Sequence, residues 1–149
     1  MNDEIIEFLD REQLTLAPKL KRLYAFMIDE LILSVIWLSI MWDKFSGIET
    51  TEAQIELVNS FLIEFMLLKL IYHTFFLMQY AASPGKMIMK IRVLELRSAS
   101  FPSFFTALNR AFFRGLSEVL FYAGFIWGLL DPASQTWHDK TARTIVIDV

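Results

Sequence analysis

Two adjacent carboxylates in the middle of a long apolar stretch are the residues of this sequence best placed to do chemistry. Asp29 and Glu30 fall inside residues 23–42, which are apolar apart from these acids and a few serines. Neighbouring carboxylates in a medium of low dielectric constant tend to share a proton, and together they attract cations. Asp29 and Glu30 are therefore candidate residues of an ion site or a proton relay.

A second apolar stretch, residues 57–80, carries three further candidates for the same relay, namely Glu64, Lys69 and His73. At helical spacing Lys69 and His73 share one face, whereas Glu64 points away from it. An imidazole titrates near neutral pH, which suits a proton relay. We expect Lys69 or His73 to be neutralised by one of the two carboxylates in the first apolar stretch.

The same residues also allow a purely structural interpretation. Arg22 and Asp29 are seven positions apart, so they lie on nearly one face of a helix, about 10 Å apart along its axis. In this interpretation they tie helix ends together, and Glu30 lies at a contact between subunits. The sequence allows both interpretations.

Other kinds of chemistry have weaker support. The chain has no cysteine and only two histidines, His73 and His138, which we expect at different depths, so we expect no metal site and no cofactor. His138-Asp139 could form a catalytic pair, but no activated serine lies nearby in sequence, and a hydrogen-bonded cap that fixes the tail is the preferred interpretation. Gly85-Lys86 lacks the rest of a phosphate-binding loop and predicts a turn. We expect no enzyme.

The composition is that of a membrane protein. Of the 149 residues, 55% are hydrophobic, and the mean hydropathy is +0.43. Soluble domains are nearer 45–50% apolar. The formal charge is only −3, which gives no basic footprint for nucleic acid. The lipid bilayer is the expected partner.

Three apolar regions must position the charged residues. Residues 23–42 and 57–80 are each long enough to cross a bilayer, and residues 43–56 form an acidic loop between them. Residues 104–130 form the third region, which crosses fully or re-enters as a hairpin. Its first half carries a stripe of small residues and a stripe of charged residues at the same spacing, which favours close contact with another helix. The small residues are Ala107, Ala111 and Gly115, and the charged residues are Arg110, Arg114 and Glu118.

The segments outside the apolar regions predict one helix and two strands. Residues 3–14 have amphipathic spacing, which predicts a helix on the membrane surface or, alternatively, a floppy acidic leader. Residues 86–96 and 144–149 alternate in polarity and predict two strands that pair. Lysine and arginine cluster before the first span and after the second, so we expect the N-terminus and both strands in the cytoplasm. That pairing favours the hairpin for residues 104–130.

Three short motifs in this order resemble the RDD family of small membrane proteins, named for one arginine and two aspartates. They are Arg22-x2-Ala25-x3-Asp29, then Pro84-Gly85-Lys86 before Ile91-Arg92-Val93, and then Gln135 to Thr144 with its His138-Asp139-Lys140. The resemblance covers about residues 19–149 and implies that the arginine is Arg22 and that the aspartates are Asp29 and Asp139. Gly85, Lys86 and His138 complete the family-motif residues. Glu30, Glu64, Lys69 and His73 are not recognised as family features.

The resemblance implies a bacterial protein of the inner (plasma) membrane whose suggested role is ion or solute transport. The predicted fold is an all-α membrane bundle of two spans plus a third span or re-entrant hairpin, with a short cytoplasmic β ribbon. We expect one domain over residues 1–149, of which 1–18 form the acidic N-terminal segment. The functional hypothesis is cation- or proton-coupled transport by a homo-oligomer. The alternative is a non-transporting subunit that docks to a larger membrane protein.

Overall fold

The computed structural model describes residues 3–149, which form eight helices and one two-stranded sheet. The elements are α1 (Asp3–Glu12), α2 (Lys19–Phe45), α3 (Thr51–Ser60), α4 (Leu62–Tyr80), α5 (Pro84–Ile88), β1 (Ile91–Glu95), α6 (Phe104–Val119), α7 (Ala123–Leu130), α8 (Trp137–Thr141) and β2 (Thr144–Asp148). The predicted class, a helical membrane bundle with a short β ribbon, is confirmed.

Two helices, α2 and α4, are long and apolar enough to cross a bilayer. The pair α6 and α7 passes the same test together, but it is bent by 103° at the break between the two helices. The chain enters α6 shortly after β1 and leaves α8 directly into β2, and these strands pair with each other. Both ends of the bent pair therefore lie at one end of the bundle, as in the predicted hairpin.

The sheet forms a layer between α1 and the membrane bundle. β1 and β2 are antiparallel, with Val93 opposite Val146 at the centre of the register. One face carries Val93 and Val146 against Leu77 of α4 and Ala25 of α2. The other face carries residues of both strands against Ile5 and other apolar residues. Alternating side chains of a strand reach both layers, which is why so short a sheet is almost fully buried.

The apolar face of α1 packs on the sheet. Ile5 and Phe8 are buried in one cluster with Leu94, Ile145 and Ile147. The predicted amphipathic helix therefore forms, but neither predicted environment was right, because the sheet covers the buried residues of its apolar face. Its acidic face stays in solvent, where charged side chains keep their hydration.

Three predicted boundaries were wrong. The acidic loop 43–56 is shorter, because Thr50 accepts a hydrogen bond from the backbone N–H of Ala53 and so caps α3. The second span begins at Leu62 and not at 57, because α3 ends at Ser60, before the chain turns at Phe61. Residues 86–90 are not strand, because 86–88 belong to the five-residue helix α5, which Pro84 begins, and residues 89–90 turn into β1.

Candidate functional site

Asp139 pairs with two arginines from different helices. It is fully buried in α8, and its Oδ2 lies 3.0 Å from Arg22 Nη2 of α2. Its Oδ1 contacts Arg110 of α6. The same carboxylate accepts the backbone N–H of Thr136 at 2.9 Å, which caps α8 as the sequence interpretation favoured. Asp139 thus joins α2, α6 and α8, and the hydrogen bonds compensate for its burial.

Asp29 is fully buried and ties α2 to neighbouring elements, as the structural interpretation proposed for Asp29 and Arg22. Its carboxylate accepts the phenol O–H of Tyr72 at 3.2 Å, the hydroxyl of Ser83 and the backbone N–H of Gly85 at 2.8 Å. Three neutral donors from two neighbouring elements and their connection therefore hold the carboxylate. A buried carboxylate with this many donors is satisfied without a cation.

A side chain at position 85 would not fit this contact. A Cβ on Gly85 would lie 2.1 Å from the carbonyl oxygen of Ala25 and 2.9 Å from the carboxyl carbon of Asp29. The small side chain of Ala25 leaves room for this close neighbour, which is α5. The close approach of two backbones explains why glycine is needed here.

Glu30 belongs to a separate network of four charges. Lys69 Nζ lies 2.7 Å from Glu30 Oε2 and 2.7 Å from Glu118 Oε2. Arg114 Nη2 lies 3.2 Å from Glu30 Oε1, and Arg114 also contacts Glu118. The predicted pairing of Lys69 with a carboxylate of the first span is confirmed. Two acids and two bases make this network neutral, so it offers no free carboxylate to a cation.

The remaining relay candidates lie apart from these networks. Glu64 is exposed in the first turn of α4 and forms no ion pair within residues 3–149. His73 is buried, and its Nε2 has no hydrogen-bond partner in that range. Its ring packs edge-on against Tyr72. The structure therefore brings Glu30 and Lys69 together, but it does not join all five candidates into one relay.

Sequence reasoning missed several partners. Arg110, Arg114 and Glu118 were noticed as a helical stripe but not as site residues, although all three are in ion pairs. Their spacing of four residues was the available signal, since it puts three charges on one face of an apolar helix. Tyr72 and Ser83 gave no such signal, because a hydroxyl is as compatible with helix packing as with binding a carboxylate.

A cavity of about 270 Å³ lies between α2, α6, α7 and α8, next to these ion pairs. Its basic lining residues are Lys19, Arg22, Lys86, Arg110 and Arg114, and its one acidic lining residue is Asp29. Apolar residues of α2 and α7 form one side of the wall, and Ser134, Thr136 and His138 add further polar lining. Pockets of this kind, apolar with a few convergent polar groups, are the usual binding sites of small molecules.

A second, much smaller cavity of about 20 Å³ lies behind the first, and Lys86, Arg114 and His138 line both. His73 also lines the smaller one. Among the described residues 3–149, the buried ring nitrogens without a hydrogen-bond partner are His73 Nε2 and His138 Nδ1. A volume of this size holds about one water molecule. Two imidazoles, each with one such nitrogen, thus lie beside the charged floor of the larger cavity.

Two basic residues of the cavity, Lys86 and Lys19, form no ion pair within residues 3–149, and of these Lys19 is exposed and donates to the carbonyl oxygen of Leu129. Burial, with Arg110 beside it, lowers the pKa of Lys86 well below its ordinary value, and Asp139 and Asp29 only partly oppose this. Burial likewise lowers the pKa of His138, although Asp139 favours its charged form. Both groups are therefore poised to gain a proton if negative charge enters the cavity.

Lys86→Met is expected to stabilise the protein by about 1 kcal/mol near pH 7, or roughly 2–4 °C in Tm. The pKa of Lys86 is lower in the folded state than in the unfolded state, so protonation of Lys86 destabilises the folded wild-type protein at low pH. This destabilisation disappears as pH rises towards about 10, where the unfolded state also loses the proton. Thermal unfolding measured between pH 7 and pH 10 should show the Tm values of wild type and Lys86→Met becoming equal as pH rises. Lys90→Met, which removes an exposed lysine, should change neither Tm nor its slope.

The family relationship follows from the whole chain and not from the cavity. The model of the RDD family matches residues 16–143, which confirms the resemblance given by the three motifs. Comparison with curated proteins and with solved structures found no match. The three motif residues Arg22, Asp29 and Asp139 all lie in the buried contacts described above. Their positions connect the family pattern to the packing of α2 against α5 and α8.

Proposed function

We propose, since this chain belongs to the RDD family and is a membrane protein with two candidate spans, that it is a proton-coupled carrier of an anion. The observation that carries the proposal is the cavity of about 270 Å³ with five basic lining residues. Cation-coupled transport has less support, because Asp29, Glu30 and Asp139 are each already held by hydrogen-bond donors or basic groups.

The charge count around the cavity favours an anion. In the cavity's cluster of charges, leaving out Lys19, which is exposed at the outer end of the cavity, five bases face four acids, which leaves one positive charge when Lys86 is protonated. The bases are Arg22, Lys69, Lys86, Arg110 and Arg114, and the acids are Asp29, Glu30, Glu118 and Asp139. Uncompensated charge is costly inside a membrane protein. A bound monovalent anion would therefore balance the site.

The same count couples the anion to a proton. When Lys86 is neutral, the charges of the cluster cancel without a bound anion. When Lys86 is charged, they cancel only if an anion is bound. Linkage makes this effect reciprocal: protonation of Lys86 strengthens anion binding by a certain factor, and a bound anion strengthens protonation of Lys86 by the same factor. The groups that face Lys86 are Asp29 from α2, His73 from α4, Arg110 and Arg114 from α6, and His138 and Asp139 from α8. Proton and anion would then move in the same direction.

More than one copy of the chain is part of this proposal. Two spans and one bent pair surround the cavity on part of its circumference only, so a pathway across the bilayer needs walls from another subunit. Carriers commonly build the pathway between repeated units that rock against one another. We therefore propose a homo-oligomer.

Reconstituted protein provides the test. Liposomes that enclose a pH-sensitive dye receive an inward gradient of potassium phosphate, with potassium gluconate as the balancing salt outside and inside. The proposal expects the lumen to acidify, because protons accompany the anion. Lys86→Met should abolish the signal and Lys90→Met should retain it. Alkalinisation driven by a sodium gradient, and lost in Asp29→Asn, would overturn the anion proposal in favour of cation coupling.

A second candidate function, an accessory subunit that docks to a larger membrane protein, is supported by Glu64. This carboxylate is exposed in the first turn of an apolar span, next to Ile63, which is 73% exposed. A partner helix could neutralise it. No flux in liposomes, together with co-purification of a larger membrane protein that is lost in Glu64→Gln, would support this function and overturn the carrier.

The orientation is a separate proposal, with the N-terminus and the sheet in the cytoplasm of a cell and the protein in its plasma membrane. The chain has no cysteine, so single introduced cysteines report on topology cleanly. We expect Val149→Cys to be shielded from a membrane-impermeant maleimide in intact cells and Gly47→Cys to be labelled. Both positions are exposed in the structure, so burial does not confuse the result. The reverse labelling pattern would contradict this orientation.

A further inference from the structure

The wall of the large cavity nearest the protein surface is apolar. Leu23 and Phe26 of α2 and Phe125 and Leu129 of α7 line it, and the rings of Phe26 and Phe125 are in contact, with their centroids 5.1 Å apart. Leu23 is 49% exposed and Leu129 is 56% exposed, so this side of the cavity merges with the outer apolar surface of the bundle. In a membrane protein that surface contacts lipid. The cavity therefore opens towards acyl chains and not through a polar vestibule.

The inner end of the cavity has the opposite character. Lys86, Arg110 and Arg114 form its floor, and Arg22 lines it beside them. Lys19 lies at the outer end, where its ammonium group donates to the carbonyl oxygen of Leu129 at 2.7 Å and links α2 to the end of α7. A ligand that matches both ends carries negative charge at one end and an apolar chain at the other.

The depth of the cavity also suits a molecule that comes from one leaflet. Its lining on α2 runs from Lys19 to Asp29, which is about 15 Å along the helix axis. The hydrocarbon core of a bilayer is about 30 Å thick, so this stretch corresponds to about one leaflet. Basic pockets between membrane helices are known as sites for anionic lipid headgroups.

We propose that the cavity binds a membrane lipid with an anionic phosphate headgroup, which enters sideways between α2 and α7 and places its phosphate against Lys86. This inference rests on the proposed anion site and adds the class of ligand. The apolar wall adds nothing to the binding of a free anion, whereas a lipid keeps its acyl chain against that wall and in the bilayer and places only its headgroup at the basic floor.

Three probes separate the two ends of the ligand. Purified full-length protein in nanodiscs of neutral lipid is titrated with lauroyl lysophosphatidate, with glycerol 3-phosphate as the headgroup alone, and with monolauroylglycerol as the chain alone. Native mass spectrometry counts the bound molecules. We expect lysophosphatidate to bind at least about tenfold more tightly than either of the other two, because only it satisfies both the basic floor and the apolar wall.

Variants locate the binding. Lys86→Met should weaken lysophosphatidate binding at least about tenfold, because a charge-assisted contact to phosphate is lost, while Lys90→Met should leave it unchanged. Leu23→Gln should weaken it as well, and the control Leu20→Gln should not, because Leu20 is at a similar depth on α2 and does not line the cavity.

The outcomes distinguish this inference from the proposed function. Equal binding of glycerol 3-phosphate and lysophosphatidate would overturn the lipid and keep the anion carrier. Equal binding of monolauroylglycerol would show an apolar groove and overturn the lipid headgroup. Binding of none of the three, with phosphate-driven acidification still present in liposomes, would also overturn the lipid alone. Binding that is unaffected by Lys86→Met would overturn the assigned position of the phosphate.

Discussion

Asp139→Asn is expected to lower the free energy of unfolding by about 3–5 kcal/mol, which makes it one of the two most damaging single substitutions in this chain. The carboxylate is fully buried and is the shared partner of Arg22 and Arg110. Asparagine keeps the size of the side chain and removes its charge. Two guanidinium groups would then face each other without a counter-charge in a poorly hydrated environment.

Thermal unfolding in detergent measures this loss, and Asp148→Asn is the matched control. Asp148 also pairs with a base, Lys21, at 2.6 Å, but both side chains keep about a third of their exposure. Exposed pairs contribute about 0–1 kcal/mol, so this variant should unfold close to wild type. If Asp139→Asn and Asp148→Asn lowered Tm by similar amounts, the central role of Asp139 would be contradicted.

The pH dependence gives a second measurement for the same residue. Burial alone would raise the pKa of Asp139, but Arg110 and Arg22 outweigh it and hold that pKa well below its ordinary value. A carboxylate whose pKa is depressed on folding stabilises the protein above its ordinary pKa and loses that contribution as pH falls. The difference in Tm between wild type and Asp139→Asn should therefore narrow below about pH 5.

The helical spans and the paired strands were predictable because their signals are local or periodic. Long apolar runs specify α2 and α4, and alternation specifies β2 and most of β1. Helix α5 was missed because five residues after a proline are too few to show a period. The packing of α1 was missed because an amphipathic pattern shows that one face is buried without showing what covers it.

The charged residues of the site were predictable as a set but not as pairs. Acids and bases inside apolar stretches must find partners, so the pairing of Lys69 with Glu30 followed from charge alone. The same reasoning could not separate Asp29, which uses neutral donors, from Asp139, which uses two arginines. That difference depends on how α5 and α8 approach α2, and such long-range geometry leaves no pattern in the sequence.

Lys86 connects these observations to function. Lys86 lies at the floor of a cavity and forms no ion pair within residues 3–149, so it lowers the stability of the protein. For this reason Lys86→Met is expected to be more stable than wild type. Residues that destabilise the fold and make no compensating contact are concentrated at functional sites. If Lys86→Met stabilises the protein and abolishes anion-driven acidification, the two effects together identify Lys86 as a binding residue and not as a packing residue.

Gly85→Ala is the second substitution with a large expected effect, a loss of about 3 kcal/mol or more in the free energy of unfolding. The added Cβ would meet the carbonyl oxygen of Ala25 at 2.1 Å, and a backbone atom inside the helix α2 has little freedom to move. α5 would have to shift away from α2. That shift would break the hydrogen bond from Gly85 to Asp29 and leave a buried carboxylate with fewer donors.

Gly115→Ala is the matched control, because a Cβ there would meet only the side chain of Met66, at 3.9 Å. It should be neutral or stabilising by up to about 1 kcal/mol, since alanine favours a helix over glycine. If Gly85→Ala does not fold, Ser83→Ala still tests the contact, because it removes one donor from Asp29 at an expected cost of about 1–3 kcal/mol. If Ser83→Ala and Gly85→Ala both unfolded at the same temperature as the wild-type protein, the contact between α2 and α5 would not be what holds Asp29 in place.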